Sequence, residues 1–484
     1  MKKQVYIILI IAFTSLFYSC DLDIDPTDAV SDSIVFENAS NAEKVLNGTW
    51  GYMMDNFLRT YQNPGWTSLL LVSDAMGNDV AIQPGKYGYL AHYSFTNITA
   101  TNSTTAVGIW TLTYKVIDNA NHVITKIDGV PGDDALKKRI KAQAYALRGY
   151  IYLNLGTFYA HAYAYDPQAL CVPIYTEPTT NTTKGQARRT VEEVYKQAED
   201  DLLKAYNALG EYSRDAKHKI DKQVAAGILA RLYLQKEQWA DAQRYAQEAH
   251  KGYSWMSQTD YVGGFNDRSN SEWIWGHGQT PEQSTASYSF HFKDVSSPAS
   301  YYYSFMADPH FRDFFDDKDI RTQLFEWDVT RYKGGLMYKK FRFRANNTAD
   351  IVLMRKAEMV LIEAEAYAEQ DESVKAIAKL NELRQQRGAA TPDLSGFSKE
   401  QLVEEILAER RKELFGEGFG LYDIKRRQKS VERKEATGLV PGTDIPVKGH
   451  TVLKFPKEKE YFSKNSPYYI FAIPESETTN NDNL

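Results

Sequence analysis

Between Val107 and His250 apolar residues recur at the helical period rather than at the alternation of a strand. Val191, Val194, Tyr195, Ala198, Leu202, Ala205, Tyr206 and Leu209 form one such stripe. Thr190-Val191-Glu192-Glu193 stands at its head as a capping box, in which the Thr and Glu side chains satisfy orphan backbone N–H groups. Asp221 is placed to cap a further helix with the stripe Ala225, Ile228, Leu229, Leu232 and Tyr233. A second helical block runs from Ile351 to Phe415 and contains another box at Ser398-Lys399-Glu400-Gln401.

Three helices share a finer pattern. Tyr152, Tyr233 and Tyr367 each follow a small residue by three positions (Gly149, Ala230, Ala364) and Leu147, Ile228 or Ile362 by five. A small residue three before a tyrosine belongs to the first helix of a tetratricopeptide repeat, where helices approach closely. Ala242, Ala246 and Ala249 suit a partner helix after Tyr233, and Ala376, Leu380 and Leu383 after Tyr367. After Tyr152 the pattern fails, because His161 takes the small position. The copies are too far apart for a simple solenoid. The fold expected is mainly α, a degenerate tetratricopeptide scaffold with a large irregular, loop-rich second lobe and a few short strands.

Two stretches break the helical pattern, Arg59 to Ser103 and Ser257 to Asn347, and loops this long in a compact chain carry function more often than not. Beyond Lys429 short β-like runs follow, at Thr451 to Phe455 and Tyr468 to Ile473. The expected division is residues 1–19 as a signal peptide, 20–58 as anchor and first helix, 59–106 as a loop-rich insertion, and 107–256 as repeat-like helices. Residues 257–350 form a second, aromatic insertion, 351–428 more repeat-like helices, and 429–484 an irregular end.

Composition enters through the aromatics. Phe, Trp and Tyr make up 13% of 484 residues, with 33 Tyr, and they crowd into the two insertions. A sugar ring has apolar C–H faces and a hydroxyl rim, so it suits an aromatic platform edged by polar groups. Trp66, Tyr87, Tyr89, Tyr288, Tyr301, Tyr302 and Tyr303 are the candidate rings, with Asp74 and Asn78 as candidate hydroxyl partners. In an extended Tyr301-Tyr302-Tyr303 neighbouring side chains point to opposite faces, so at least one should reach solvent.

The remaining chemistry is sparse. The net charge of −6, without a long basic block, argues against nucleic acid. No phosphate-binding loop, nucleophile elbow or zinc-protease motif occurs. Gly416-Glu417-Gly418-Phe419-Gly420 reads as a helix C-terminal turn. The nine histidines are scattered, and Cys171 reads as a small buried hydrophobe. No catalytic residue, cofactor or metal site is expected.

The start of the chain is an address. Lys2 and Lys3 precede an apolar run too short to span a bilayer, and Ser19-Cys20 resembles a bacterial lipobox in which the cysteine is acylated. Asp21, Asp23 and Asp25 follow, similar to a surface-export tag of Bacteroidetes lipoproteins.

These features join into a family resemblance over the mature chain. Trp110-x-x-x-Tyr114, Ala144-Tyr145-Ala146-Leu147-Arg148-Gly149-Tyr150 and Val172-Pro173-Ile174-Tyr175-x-Glu177-Pro178 resemble blocks of the SusD/RagB family of outer-membrane nutrient-binding lipoproteins. So do Arg189 to Tyr195 and, above all, Glu409-Arg410-Arg411-Lys412-Glu413-Leu414-Phe415-Gly416-Glu417-Gly418 leading to Asp423-Ile424-Lys425-Arg426. Pro474 and Glu477 stand as in its closing motif, while Gly420-Leu421-Tyr422 departs from the aromatic pair usual before the Asp. The resemblance implies a lipid-anchored protein on the cell exterior that binds an oligosaccharide and partners a SusC-like TonB-dependent transporter. It carries over no fixed ligand residues. Two alternatives stay open, a peptide-binding protein of the RagB kind and a tetratricopeptide adaptor for protein partners.

Overall fold

The computed structural model describes residues 36–56, 64–86, 88–283, 285–455 and 462–484. Cys20 and the segment around it lie outside these residues. Counting helices of seven residues or more, the chain runs α1 (Ala39–Met53), α2 (Thr67–Ala75), β1 (Val80–Ile82), α3 (Thr104–Lys126) and α4 (Asp134–Phe158). It continues through β2 (Leu170–Pro173), β3 (Arg188–Thr190), α5 (Val191–Leu209), α6 (Lys222–Gln235) and α7 (Trp239–His250). The second insertion carries β4 (Trp273–His277), β5 (Phe305–Ala307), β6 (Phe325–Trp327) and β7 (Leu336–Tyr338). Then come β8 (Ile351–Arg355), α8 (Lys356–Glu369), α9 (Ser373–Gln386), α10 (Lys399–Leu414) and α11 (Gly420–Arg426).

The helices pack in sequence, α4 on α5, α6 on α7, α7 on α8 and α8 on α9, as a tetratricopeptide-like array. Local signals set their ends. Thr190 and Ser398 form complete capping boxes with Glu193 and Gln401, and the Asp221 side chain accepts from the Val224 N–H. The small positions are where helices touch. A Cβ on Gly149 would stand 2.8 Å from Leu202 Cγ and 2.9 Å from the Ala198 carbonyl oxygen of α5, and Ala230 and Ala364 are fully buried. The first pair is regular after all. Its second helix is α5, reached after an excursion through the β2–β3 pair, so His161 never belonged to a partner helix.

The first insertion is less irregular than its sequence suggests. It contains α2, nearly every residue of which is buried. A helix covered on all sides shows no amphipathic period, so the pattern that marks surface helices is missing. The β-like runs near the end form no named strand. Instead, Phe471 and Ala472 donate to the carbonyls of Phe158 and Ile98, holding the segment along the scaffold.

The irregular lobe is built on an antiparallel sheet in the order β1-β5-β7-β6, with Val80 opposite Ala307 and Phe325 opposite Tyr338. The separate pair β4–β8 leads into α8. Most of the insertion's rings are core: Trp273, Trp275, Phe290, Phe292 and Phe305 are all buried. Among the described residues no helix is long and apolar enough to cross a membrane.

A buried ionic cluster joins lobe to helices. Arg355, at the end of β8, reaches Glu272 (2.8 Å), Glu413 (2.6 Å) and both oxygens of Glu417 (2.7 and 2.8 Å). Arg321 reaches Glu413 at 2.9 Å and Glu409 at 2.5 Å, and Arg387 reaches Glu413 and Glu272. Lys340 donates to Glu417 and to the carbonyls of Glu413 and Phe415. Burial alone would raise the Glu413 carboxyl, but Arg387, Arg355 and Arg321 overcome it and hold the group well below the usual range.

The repeat packing gives a direct expectation. Gly149→Leu inserts a side chain where α4 and α5 have no room, and should cost on the order of 1–3 kcal/mol in thermal denaturation. An unchanged melting temperature would contradict the close approach.

Candidate functional site

The aromatic face is assembled by the segment from Tyr288 to Tyr303, which doubles back on a single helical turn, Phe290–Lys293. The His291 carbonyl accepts from the N–H groups of Tyr302 and Tyr303 and from the Ser300 hydroxyl, which pins the two arms together. The Tyr301 ring then lies on the His291 imidazole, 4.1 Å between centroids and 15° from parallel, and is 62% exposed. Tyr288 stands edge-on to His291 at 4.8 Å and shares a 2.9 Å hydrogen bond between hydroxyls with Tyr302. Phe343 closes the cluster 4.8 Å from His291. Burial brings His291 down to about 4, so its imidazole is neutral near pH 7 and stacks without a charge.

Tyr303 has φ 33°, a left-handed conformation rare and strained for a bulky residue. It is held by neighbours: Arg331 lies over its ring at 3.9 Å and Lys86 at 4.6 Å. Arg331 is itself fixed by the carbonyls of Val295 and Ser297. The Gln83 side chain donates to the Tyr303 carbonyl, and the Gln83 N–H to that of Ser304, so β1 carries the neighbouring loop to the face. A half-exposed aromatic cluster with a basic edge therefore sits on one side of the lobe.

The structure brings only part of the expected set together. Tyr288, Tyr301, Tyr302 and Tyr303 share this face, whereas Trp66 does not belong to it. Trp66 is 1% exposed and donates its Nε1–H to the Tyr150 hydroxyl at 3.0 Å, deep between α2 and α4. Tyr89 is also buried, packed edge-on against Phe292 and Phe305 behind the face. Tyr87 lies outside the described residues.

Asp74 and Asn78 are occupied elsewhere. The Asp74 oxygens accept the N–H groups of Gly418 (2.8 Å) and Gly420 (3.1 Å), and burial pushes its carboxyl up to about 7 despite those bonds. The Asn78 side chain accepts the Glu432 N–H, and its carbonyl meets His450 Nε2 at 2.7 Å. Both are structural ties at the far end of β1, not hydroxyl partners beside the rings. Lys86 stands among the polar residues interleaved with the first loop's rings, whereas His291, Arg331 and Phe343 carry no sequence signal toward this face. The expectation that one ring of Tyr301-Tyr302-Tyr303 reaches solvent is met by Tyr301, but nothing local marked the histidine beneath it.

A stacked aromatic face thus stands on a repeat-like helical scaffold. Two family models match the chain, one described as starch-binding associating with outer membrane over residues 31–234, the other as the SusD family over 318–484. A SusD-like carbohydrate binding protein from Bacteroides vulgatus is 42% identical, with a TM-score of 0.88 covering 93% of this chain and 98% of that one. A SusD superfamily structure from Bacteroides thetaiotaomicron is 24% identical, covers 92% and 98%, and superposes with a TM-score of 0.75. A SusD-like protein of Formosa agariphila is 22% identical over 88% of this chain and 91% of its own length. The chain belongs to the SusD family.

The positions of Trp66 and Tyr301 separate core from face. Trp66→Ala should cost about 3–5 kcal/mol, as large core truncations do, while Tyr301→Ala should change stability by no more than about 0.5 kcal/mol. Equal losses of melting temperature in the two variants would place Tyr301 in the core.

Proposed function

We propose that this protein captures an oligosaccharide on the face formed by Tyr288, His291, Tyr301 and Tyr302, and releases it unchanged to a SusC-like TonB-dependent transporter. Acylation at Cys20 would tether it to the outer membrane, facing the cell exterior. The observation that carries the reading is the Tyr301 ring, stacked flat on His291 with most of its surface open to solvent. Stacking on His291 preorganises the exposed ring and so lowers the entropy cost of ordering it on binding. The carbohydrate-binding description of the relative with 42% identity agrees with it.

An open face exchanges the sugar's water bonds for protein ones at little net gain, so affinity of about micromolar to millimolar is expected. Capture at high local concentration beside a transporter makes such affinity sufficient. The peptide reading gains no specific support from the face, which presents ring surface and not an unpaired strand edge.

Calorimetric titration against a panel of tetrasaccharides and peptides tests this. The best glycan should lose at least about tenfold in affinity in Tyr301→Ala, the effect of a binding hot spot, with the melting temperature kept. Undiminished glycan binding in the folded variant would move the site elsewhere, and turnover of the ligand would overturn the proposal.

A further inference from the structure

The aromatic face ends on a basic edge. Tyr303 and Tyr332 are both half-buried against a small cluster of Val295, Met306 and Met337. Arg331 lies over the Tyr303 ring at 3.9 Å and Lys86 at 4.6 Å, while Lys448 lies over Tyr332 at 4.3 Å. A ring face attracts a cation, so each pair holds positive charge in place without neutralising it. None of the three cations forms an ion pair with a carboxylate among the described residues.

Two acids stand in the turns that carry this edge, and both are turned inward. Asp328 accepts the N–H groups of Thr330, Arg331 and Tyr332, and Asp294 those of Ser296, Ser297 and Phe343. Both are buried. Their oxygens shape the two turns instead of meeting the cations outside. A chain of net charge −6 therefore presents positive charge at this one side of its rings.

Arg331 is a preset donor. Its Nη1 donates to the Ser297 carbonyl at 3.0 Å and its Nη2 to that of Val295 at 2.6 Å. A guanidinium carries five N–H groups in a rigid fork. Three of them remain on Arg331, whose side chain is exposed. Two carbonyls and a ring have already ordered the fork, so it loses little freedom on binding, and its plane suits the paired oxygens of a bound anion. The strained φ of 33° at Tyr303 lies at the same point, and strain of this kind collects at ligand clamps. Successive Cα atoms are about 3.8 Å apart, so Tyr303 stands within about 7.6 Å of Tyr301. Neighbouring sugars of one oligosaccharide bridge such a step.

We propose that Arg331 is a specificity-determining residue, which takes the carboxylate or sulfate of an acidic sugar beside the sugar stacked on Tyr301. Lys86 and Lys448 add the surrounding positive charge. The inference rests on the aromatic face binding glycan and adds the class of glycan: acidic.

The test is calorimetric titration of the full chain with tetragalacturonate, a heparin-derived tetrasaccharide and maltotetraose. Carboxylate and sulfate are thus separate arms, with a neutral control. The wild type should bind at least one acidic ligand about tenfold or more tighter than maltotetraose. Arg331→Gln should erase that preference and leave maltotetraose unchanged. Arg331→Lys should restore only part of it, because an ammonium keeps the charge without the fork. Arg331 also braces its turn, so Lys86→Gln combined with Lys448→Gln forms an independent arm. That double variant should weaken the acidic ligand and flatten its salt dependence, with the melting temperature kept. The inference is overturned if the wild type shows no acidic preference or Arg331→Gln retains it. It is overturned equally if Arg331→Gln loses every ligand while the double variant binds acidic glycan as before. In either event, loss of maltotetraose binding in Tyr301→Ala would show that the face itself still stands. Acidic binding that falls in Arg331→Gln but not in Tyr301→Ala would instead keep the anion site and remove the face.

Discussion

Glu413 sits in the interior of the protein among the guanidinium groups of Arg321, Arg355 and Arg387, and every one of these side chains is excluded from water. An isolated charge there would be prohibitive, and a single buried pair would gain little over apolar packing. Arg355 escapes the penalty because its donors are met by Glu272, Glu413 and Glu417 together. Such a cluster tolerates one arrangement only, since moving any member strands another without a partner. Its members come from β8, from just before β4, from just after β7, from the turn before β6, from the end of α9, from α10 and from the turn after it. Those elements are therefore fixed relative to one another.

The lobe that carries the aromatic face has strands of three to five residues and long connections, too little regular structure to set its own geometry. It leans on the helices at two places: the ionic cluster, and Asp74 at the end of α2, which clamps the glycine turn after α10 through Gly418 and Gly420. From that clamp β1 (Val80–Ile82) leads to Gln83, which bonds to the Tyr303 and Ser304 carbonyls, and a turn follows to Lys86, so one edge of the aromatic face starts from a fixed point. The strained Tyr303 is affordable because the sheet, Arg331 and Lys86 hold it on three sides. The proposed binding role depends on this rigidity, since a platform that must first be ordered loses affinity to entropy.

Local chemistry was legible in the sequence and non-local chemistry was not. The capping boxes at Thr190 and Ser398 and the small residues Gly149, Ala230 and Ala364 act within one helix and its immediate neighbour, and each does what its spacing indicated. Trp66 and Tyr301 look alike in sequence, yet one is core and the other is open. The difference lies in what folds over them, Tyr150 in the first case and nothing in the second. Asp74 meets its partners 344 and 346 residues away. The Glu409 to Gly418 motif was visible as a family mark, but its physical meaning, a source of carboxylates for distant arginines, appears only when Arg321 and Arg355 are brought beside it.

The claim that this buried cluster registers the lobe against the helices is tested most directly by hydrogen exchange on Glu413→Gln. Loss of the charge should lower amide protection together in 272–277, 319–327 and 351–355, and in the aromatic segment 288–303 that depends on them. The α3 to α5 helices, which do not touch the cluster, should keep theirs. Uniform protection, or a loss spread evenly over the chain, would contradict the account.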